Sequence, residues 1–192
     1  MATIEQWWKR SLDANVGFVT GAHSGIVVPD IDPRHGGLES LRELETQYGS
    51  LPDAPRVRTG GGGQHIFFLH PGGNIRSRTG MLPGIDIRGD GGYVVAPGSV
   101  HANGNSYMWE HGKTPSNLPP PSIPDWLLKK LQQQTPQRQL ETNSTSSQPI
   151  TETARETQRL HRWQALCVSA GWRETLSQLR CSFTIVSDAN HH

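Results

Sequence analysis

Residues 26–49 read IVVPDIDPRHGGLESLRELETQYG, and the order of signals in them decides the fold. Ile26 to Ile31 is an apolar, largely β-branched run of strand length, closed by the acidic turn Asp30-Ile31-Asp32-Pro33. From Gly37 onward, Leu38, Leu41, Leu44 and Tyr48 recur at helical spacing with Glu39, Arg42, Glu43 and Glu45 between them. That spacing predicts an amphipathic helix ended by Gly49. Pro29 lies inside the strand and cannot donate to a ladder, so it is expected at an edge, a bulge or the strand's end.

Working outward, residues 16–20 (VGFVT), 55–59 (PRVRT), 65–69 (HIFFL), 84–88 (GIDIR), 93–96 (YVVA) and 106–109 (SYMW) are further short strand candidates. Glycine punctuates them: 20 of the 21 glycines fall between Gly17 and Gly112. One helix among many glycine-bounded strands argues an α+β fold with a mixed or antiparallel sheet. After the proline-rich TPSNLPPPSIP, Asp125 and WLLKKL read as a final helix packed on the sheet. Residues 133–160 are rich in Gln, Thr and Ser and poor in large apolar groups, as a disordered linker is, and 161–192 hold only enough for a short helical or disordered tail.

Bulk properties narrow the function. Eighteen basic against 17 acidic residues leave a net charge of +1, which excludes nucleic-acid binding by overall charge, so any anionic partner is held locally. Cys167 and Cys181 are too few for a disulfide framework and fit a reducing cytoplasm. No apolar run has the length of a membrane span, and the start MATIEQWWKR lacks a signal-peptide core.

Three constellations carry chemistry. Asp30 and Asp32, two apart at a strand end, share one face and converge about 6–7 Å apart along the chain, as a Mg²⁺ or Mn²⁺ platform requires. The alternative is a polar turn with Asp32 as a helix cap. Gly60 to Gly63 before His65 let a backbone approach phosphate oxygens closely, with Gly61, Gly62, Gly63 and His65 as nucleotide-binding candidates; a plain hairpin loop is the other reading. In Gly84-Ile85-Asp86-Ile87-Arg88, Asp86 and Arg88 take one face and the isoleucines the other. Asp86 is then a candidate third metal carboxylate and Arg88 a phosphate contact, or the two form an in-strand salt bridge. Between Ala54 and Arg88, five arginines (Arg56, Arg58, Arg76, Arg78, Arg88) face a single acid, Asp86. Such a basic strip around an acidic point suits a phosphodiester substrate; solvated loop arginines are the bland alternative.

Taken in order, VVPDIDPRHGG, RTGGGGQHIFF and GIDIRGDGGYVVAPGS resemble the bifunctional primase-polymerase (Prim-Pol) domain of the archaeo-eukaryotic primase superfamily, over about residues 14–127. The resemblance implies an RRM-like catalytic core spanning 1–132, with an N-terminus shorter than the family's usual one. It implies a DNA primase and polymerase with Asp30, Asp32 and Asp86 as catalytic metal ligands for Mg²⁺ or Mn²⁺. His65 matches the family's nucleotide-binding histidine. The implied partners are nucleoside triphosphates, a single-stranded DNA template and a primer, with Arg56, Arg58, Arg76 and Arg78 on nucleic-acid phosphates. No GxxxxGK[ST] loop occurs, so any replicative helicase is a separate polypeptide. Two other readings compete: a catalytically impaired relative that binds nucleotide or single-stranded nucleic acid, and a glycosyltransferase DxD site, which lacks the preceding βαβ unit here.

Overall fold

The computed structural model describes residues 15–133 and the strand Phe183–Val186. In chain order the elements are β1 (Asn15–Val19), β2 (Ile26–Ile31), a 3-10 turn (Pro33–His35), α1 (Gly37–Tyr48), β3 (Arg56–Arg58), β4 (Gln64–Ile66), β5 (Phe68–Leu69), β6 (Arg78–Leu82), β7 (Ile85–Arg88), β8 (Tyr93–Val95), β9 (Met108–Trp109), α2 (Asp125–Gln133) and β10 (Phe183–Val186). The fold is α+β, and all of the named strand pairs are antiparallel.

β2 is the axis. It lies inside a seven-stranded sheet of order β6-β7-β2-β4-β3-β9, with β5 also on β2. Alternation along β2 sends Val27 and Ile31 to one face and Ile26, Val28 and Asp30 to the other. The first face carries the larger core, where Ile66, Phe68, Ile85 and Ile87 from the sheet meet Leu44 of α1 and Leu127 and Leu131 of α2. Burying each such leucine stabilises by roughly 1.5–3 kcal/mol, which explains why the weakly hydrophobic α1 docks at all. The second face carries a smaller core, in which Val28, Val57 and Phe67 pack on Phe18, Val94 and Ala96 of a three-stranded sheet, β10-β1-β8. β2 is therefore covered on both sides, as its unbroken apolar run requires.

The helix enters on a tight junction. Gly37 N–H donates to the Asp32 carbonyl at 2.9 Å, Asp32 N–H to the Gly84 carbonyl at 2.8 Å, and the Ser40 hydroxyl to the Pro83 carbonyl at 2.8 Å. A Cβ on Gly37 would stand 2.3 Å from the Gly84 oxygen, so only glycine admits this approach. Further along, the Asp90 carboxylate accepts from Ala22 N–H at 2.7 Å and Ile75 N–H at 2.8 Å, tying the β1–β2 turn and the loop before β6 to the end of β7.

Pro29 corrects its expectation. It sits mid-strand between two neighbours, opposite Ile87 on the β7 side. On the other side β4 and β5 keep one register along β2, with Asp30 opposite His65 and Val27 opposite Phe68, and the ladder lapses between them. The missing proline N–H falls in that lapse, while Phe67 N–H turns away to the Pro55 carbonyl. β6 is not among the strand candidates of the sequence, and β10 lies within a segment expected to be helical or disordered. The rest of 161–192, and the linker from 134 to 160, lie outside the described residues. Among the described residues, no helix is long and apolar enough to cross a membrane.

Candidate active site

Register assembles the site. Asp30 on β2 stands opposite Asp86 on β7 and opposite His65 on β4, and His65 stands opposite Val57, which in turn faces Trp109. Directly opposed residues share a face, so Asp86, Asp30 and His65 form one row across three strands. The row lies on the face of the smaller core, and all three side chains are at most a quarter exposed.

Arg88, two residues further along β7 on the same face, reaches back to the two acids. Its Nη2 donates to Asp86 Oδ2 at 3.0 Å and to Asp30 Oδ2 at 3.3 Å. Both carboxylates therefore point at one position, which a cationic nitrogen holds. Asp86 Oδ1 also accepts Gly80 N–H at 2.7 Å, fixing the carboxylate against β6.

His65 is buried, with Nε2 3.5 Å from Asp30 Oδ1, longer than a good hydrogen bond. Burial holds its pKa below the ordinary imidazole value, the Asp30 charge opposes that and the Arg88 charge assists it. A neutral ring results. Its Nδ1 has no partner, and the Tyr107 ring stacks on it at 5.9 Å between centroids.

Asp32 does not join the row. β2 ends at Ile31, and Asp32 caps the 3-10 turn instead. Its Oδ1 accepts Arg34 N–H at 2.9 Å and Nε–H at 3.2 Å, and its Oδ2 accepts Arg34 Nη2 at 3.1 Å with His35 Nδ1 at 2.8 Å. The hydrogen bond from Arg34 is the main reason its pKa falls to about 2. Two-apart alternation holds only while the strand continues, and Pro33 starts the turn. Among the described residues, no group of three or more His, Cys, Asp or Glu side chains is placed to hold a metal ion. The acids gather as a pair, Asp30 and Asp86, where the sequence reading expected three.

The glycine loop folds back on itself. Gly62 N–H donates to the Thr59 carbonyl and Gly63 N–H to Thr59 Oγ1, so these two amides are not aimed outward as a phosphate nest requires. Gly63 is small because the Ile31 carbonyl lies 2.2 Å from where its Cβ would be. Gly61 lies between the Arg34 guanidinium and the His101 ring, each just under 4 Å from its would-be Cβ.

The arginine strip disperses. Val57 shares the row's face, so Arg56 and Arg58, one residue either side, point to the opposite face. Arg56 lies near Glu110 there, at 3.9 Å. Arg78 stands opposite Ile87 and takes the isoleucine side as well, while Arg76 is exposed beside Asp90. Of the five, Arg88 is the one whose Nη2 bridges Asp30 and Asp86. Sequence reasoning missed Arg34, Tyr107 and His101; the signal for Tyr107 was its parity with Trp109, which the β3–β9 register places on the row's face.

The chain matches the model of a family described as bifunctional DNA primase/polymerase, N-terminal, over residues 1–126. No curated protein matches it.

Proposed function

This chain belongs to the bifunctional DNA primase/polymerase N-terminal family, and from that premise we propose that it extends a DNA strand by template-directed transfer of nucleotides from nucleoside triphosphates, with Mg²⁺ or Mn²⁺ held at Asp30 and Asp86. One observation carries the reading: two carboxylates on adjacent strands converge on one cationic nitrogen at 3.0 and 3.3 Å. Hard oxygen donors converging on a point already held by a positive group fit a divalent cation. The donor set fits one ion directly. A two-ion arrangement needs Asp32 as well, and Asp32 is free for it only when Arg34 and His35 release its oxygens.

A bound Mg²⁺ or Mn²⁺ supplies a lowered pKa at the attacking 3′-hydroxyl and offsets charge on the phosphates. The chain's own residues do the rest. Asp30 and Asp86 set where the reaction sits, on sheet strands that hold them rigidly. His65 supports Asp30 from the side away from Asp86 and is the histidine assigned to the nucleotide's phosphates, with Arg88 as a second phosphate donor. Arg34 and His101 both lie just under 4 Å from the Cβ position of Gly61, and Arg34 adds a positive charge there. The template and primer lie along this face, and Arg56, Arg58 and Arg78 have no direct path to it.

Heat protection tests the reading. A deoxynucleoside triphosphate with Mn²⁺ is expected to raise the melting temperature of wild type, and Asp30→Asn or Asp86→Asn to abolish the Mn²⁺-dependent part. Equal protection in EDTA would favour the metal-independent binding module, and protection by a nucleotide-sugar instead would favour the glycosyltransferase reading.

A further inference from the structure

Asp30, Asp86 and Asp32, the three acids of the sequence reading, are each already paired with an arginine. Arg88 spans Asp30 and Asp86, and Arg34 forks onto Asp32. Resting on the proposed assignment of Asp30 and Asp86 to the metal, we propose that Arg88 is a built-in occupant of the cation position, which makes metal entry depend on the triphosphate.

A divalent ion on these oxygens would stand roughly 2.0–2.2 Å from each, inside the space the Arg88 Nη2 now fills. Two positive groups cannot share that point, so Arg88 has to leave. The departing guanidinium is two-thirds buried and needs an acceptor of matching fork geometry, and a phosphate provides one. A metal ion arriving alone must displace Arg88 and leave its guanidinium without an anionic partner. Arriving with a triphosphate, it exchanges them for an arginine–phosphate pair. Metal and nucleotide therefore bind with positive coupling, and the coupling is reciprocal. Arg34 contributes less, because its side chain is 63% exposed and such a pair is worth little in water.

The test uses the full chain, free of DNA. Mn²⁺ binding alone is read from the loss of the free-ion electron paramagnetic resonance signal, and dATP binding with and without Mn²⁺ is read by calorimetry. Arg88→Gln is expected to bind Mn²⁺ alone at least about tenfold more tightly than wild type, and to reduce the factor by which Mn²⁺ tightens dATP binding. Arg88→Lys keeps the charge but not the fork; it is expected between the two, and it carries the test if Arg88→Gln does not fold. Mn²⁺ affinity unchanged or weaker in these variants, with wild type still binding the ion through Asp30, would overturn the proposal and leave the metal assignment standing. No Mn²⁺ binding by wild type, with or without dATP, would overturn both.

Discussion

Removing the Asp90 carboxylate tests whether the catalytic strands are tied down in the way the hydrogen bonds indicate. Asp90 follows Arg88 by two residues and accepts two backbone N–H groups from distant segments, Ala22 at 2.7 Å and Ile75 at 2.8 Å. Ile75 is buried, so without Asp90 its N–H has no water to turn to, and that loss should cost about 1.5–3 kcal/mol. Ala22 is exposed and its N–H can be rehydrated, which limits that loss to about 1 kcal/mol. The neighbouring His70 Nε2 is 3.5 Å from Asp90, too long to add a strong bond. Asp90→Ala is therefore expected to lose about 3 kcal/mol of unfolding free energy, a large part of a domain's usual stability. Asp90→Asn keeps one acceptor oxygen, enough for Ile75, and should lose only about 1 kcal/mol. Urea denaturation followed by circular dichroism gives both values, with the slope unchanged if the two-state description holds. A loss below about 1 kcal/mol for Asp90→Ala, or equal losses in both variants, would show that the Asp90 carboxylate does not tie these segments down.

Other substitutions separate the faces and the loops. Arg58→Gln is expected to leave primer extension within about twofold of wild type, because register points it away from the acids, whereas Arg88→Gln should lower extension at least about tenfold. Gly63→Ala drives a Cβ into the Ile31 carbonyl and should cost about 2–3 kcal/mol, while Gly61→Ala, with only ordinary contacts, should stay within about 0.5 kcal/mol, both read from urea midpoints. His65 has a folded pKa below its unfolded value of 6.5, so the unfolded chain takes up the proton first. Its contribution is full above that value and is lost as pH falls below it; in His65→Phe the melting temperature should decline less over the same interval.

Much of this was legible in the sequence because local periodicity answers local questions. The helical spacing of Leu38, Leu41, Leu44 and Tyr48, with Gly49 behind them, places α1 within the bounds the structure has. Alternation likewise separates Asp86 and Arg88 from Ile85 and Ile87, as observed. What local pattern cannot supply is register between segments far apart in the chain. That Asp30 meets Asp86 and His65 is a fact about pairing across dozens of residues, and the face Arg56 and Arg58 take follows only once the β3–β4 register is added to it. Asp32 takes the other of its two readings, the turn cap, because the two-residue rule presumes a strand and the strand stops one residue earlier. β6 escaped notice because Gly80 interrupts it and its pairing with β7 is irregular.

Extension of a labelled primer on a single-stranded template with dNTPs and Mn²⁺ reads most directly whether the Asp30–Asp86 pair is the reaction centre of a DNA-synthesising enzyme. Wild type is expected to extend the primer stepwise, and Asp30→Asn and Asp86→Asn to lose extension while melting as folded proteins. Extension that survives in either folded variant, or no extension by folded wild type, would rule that role out.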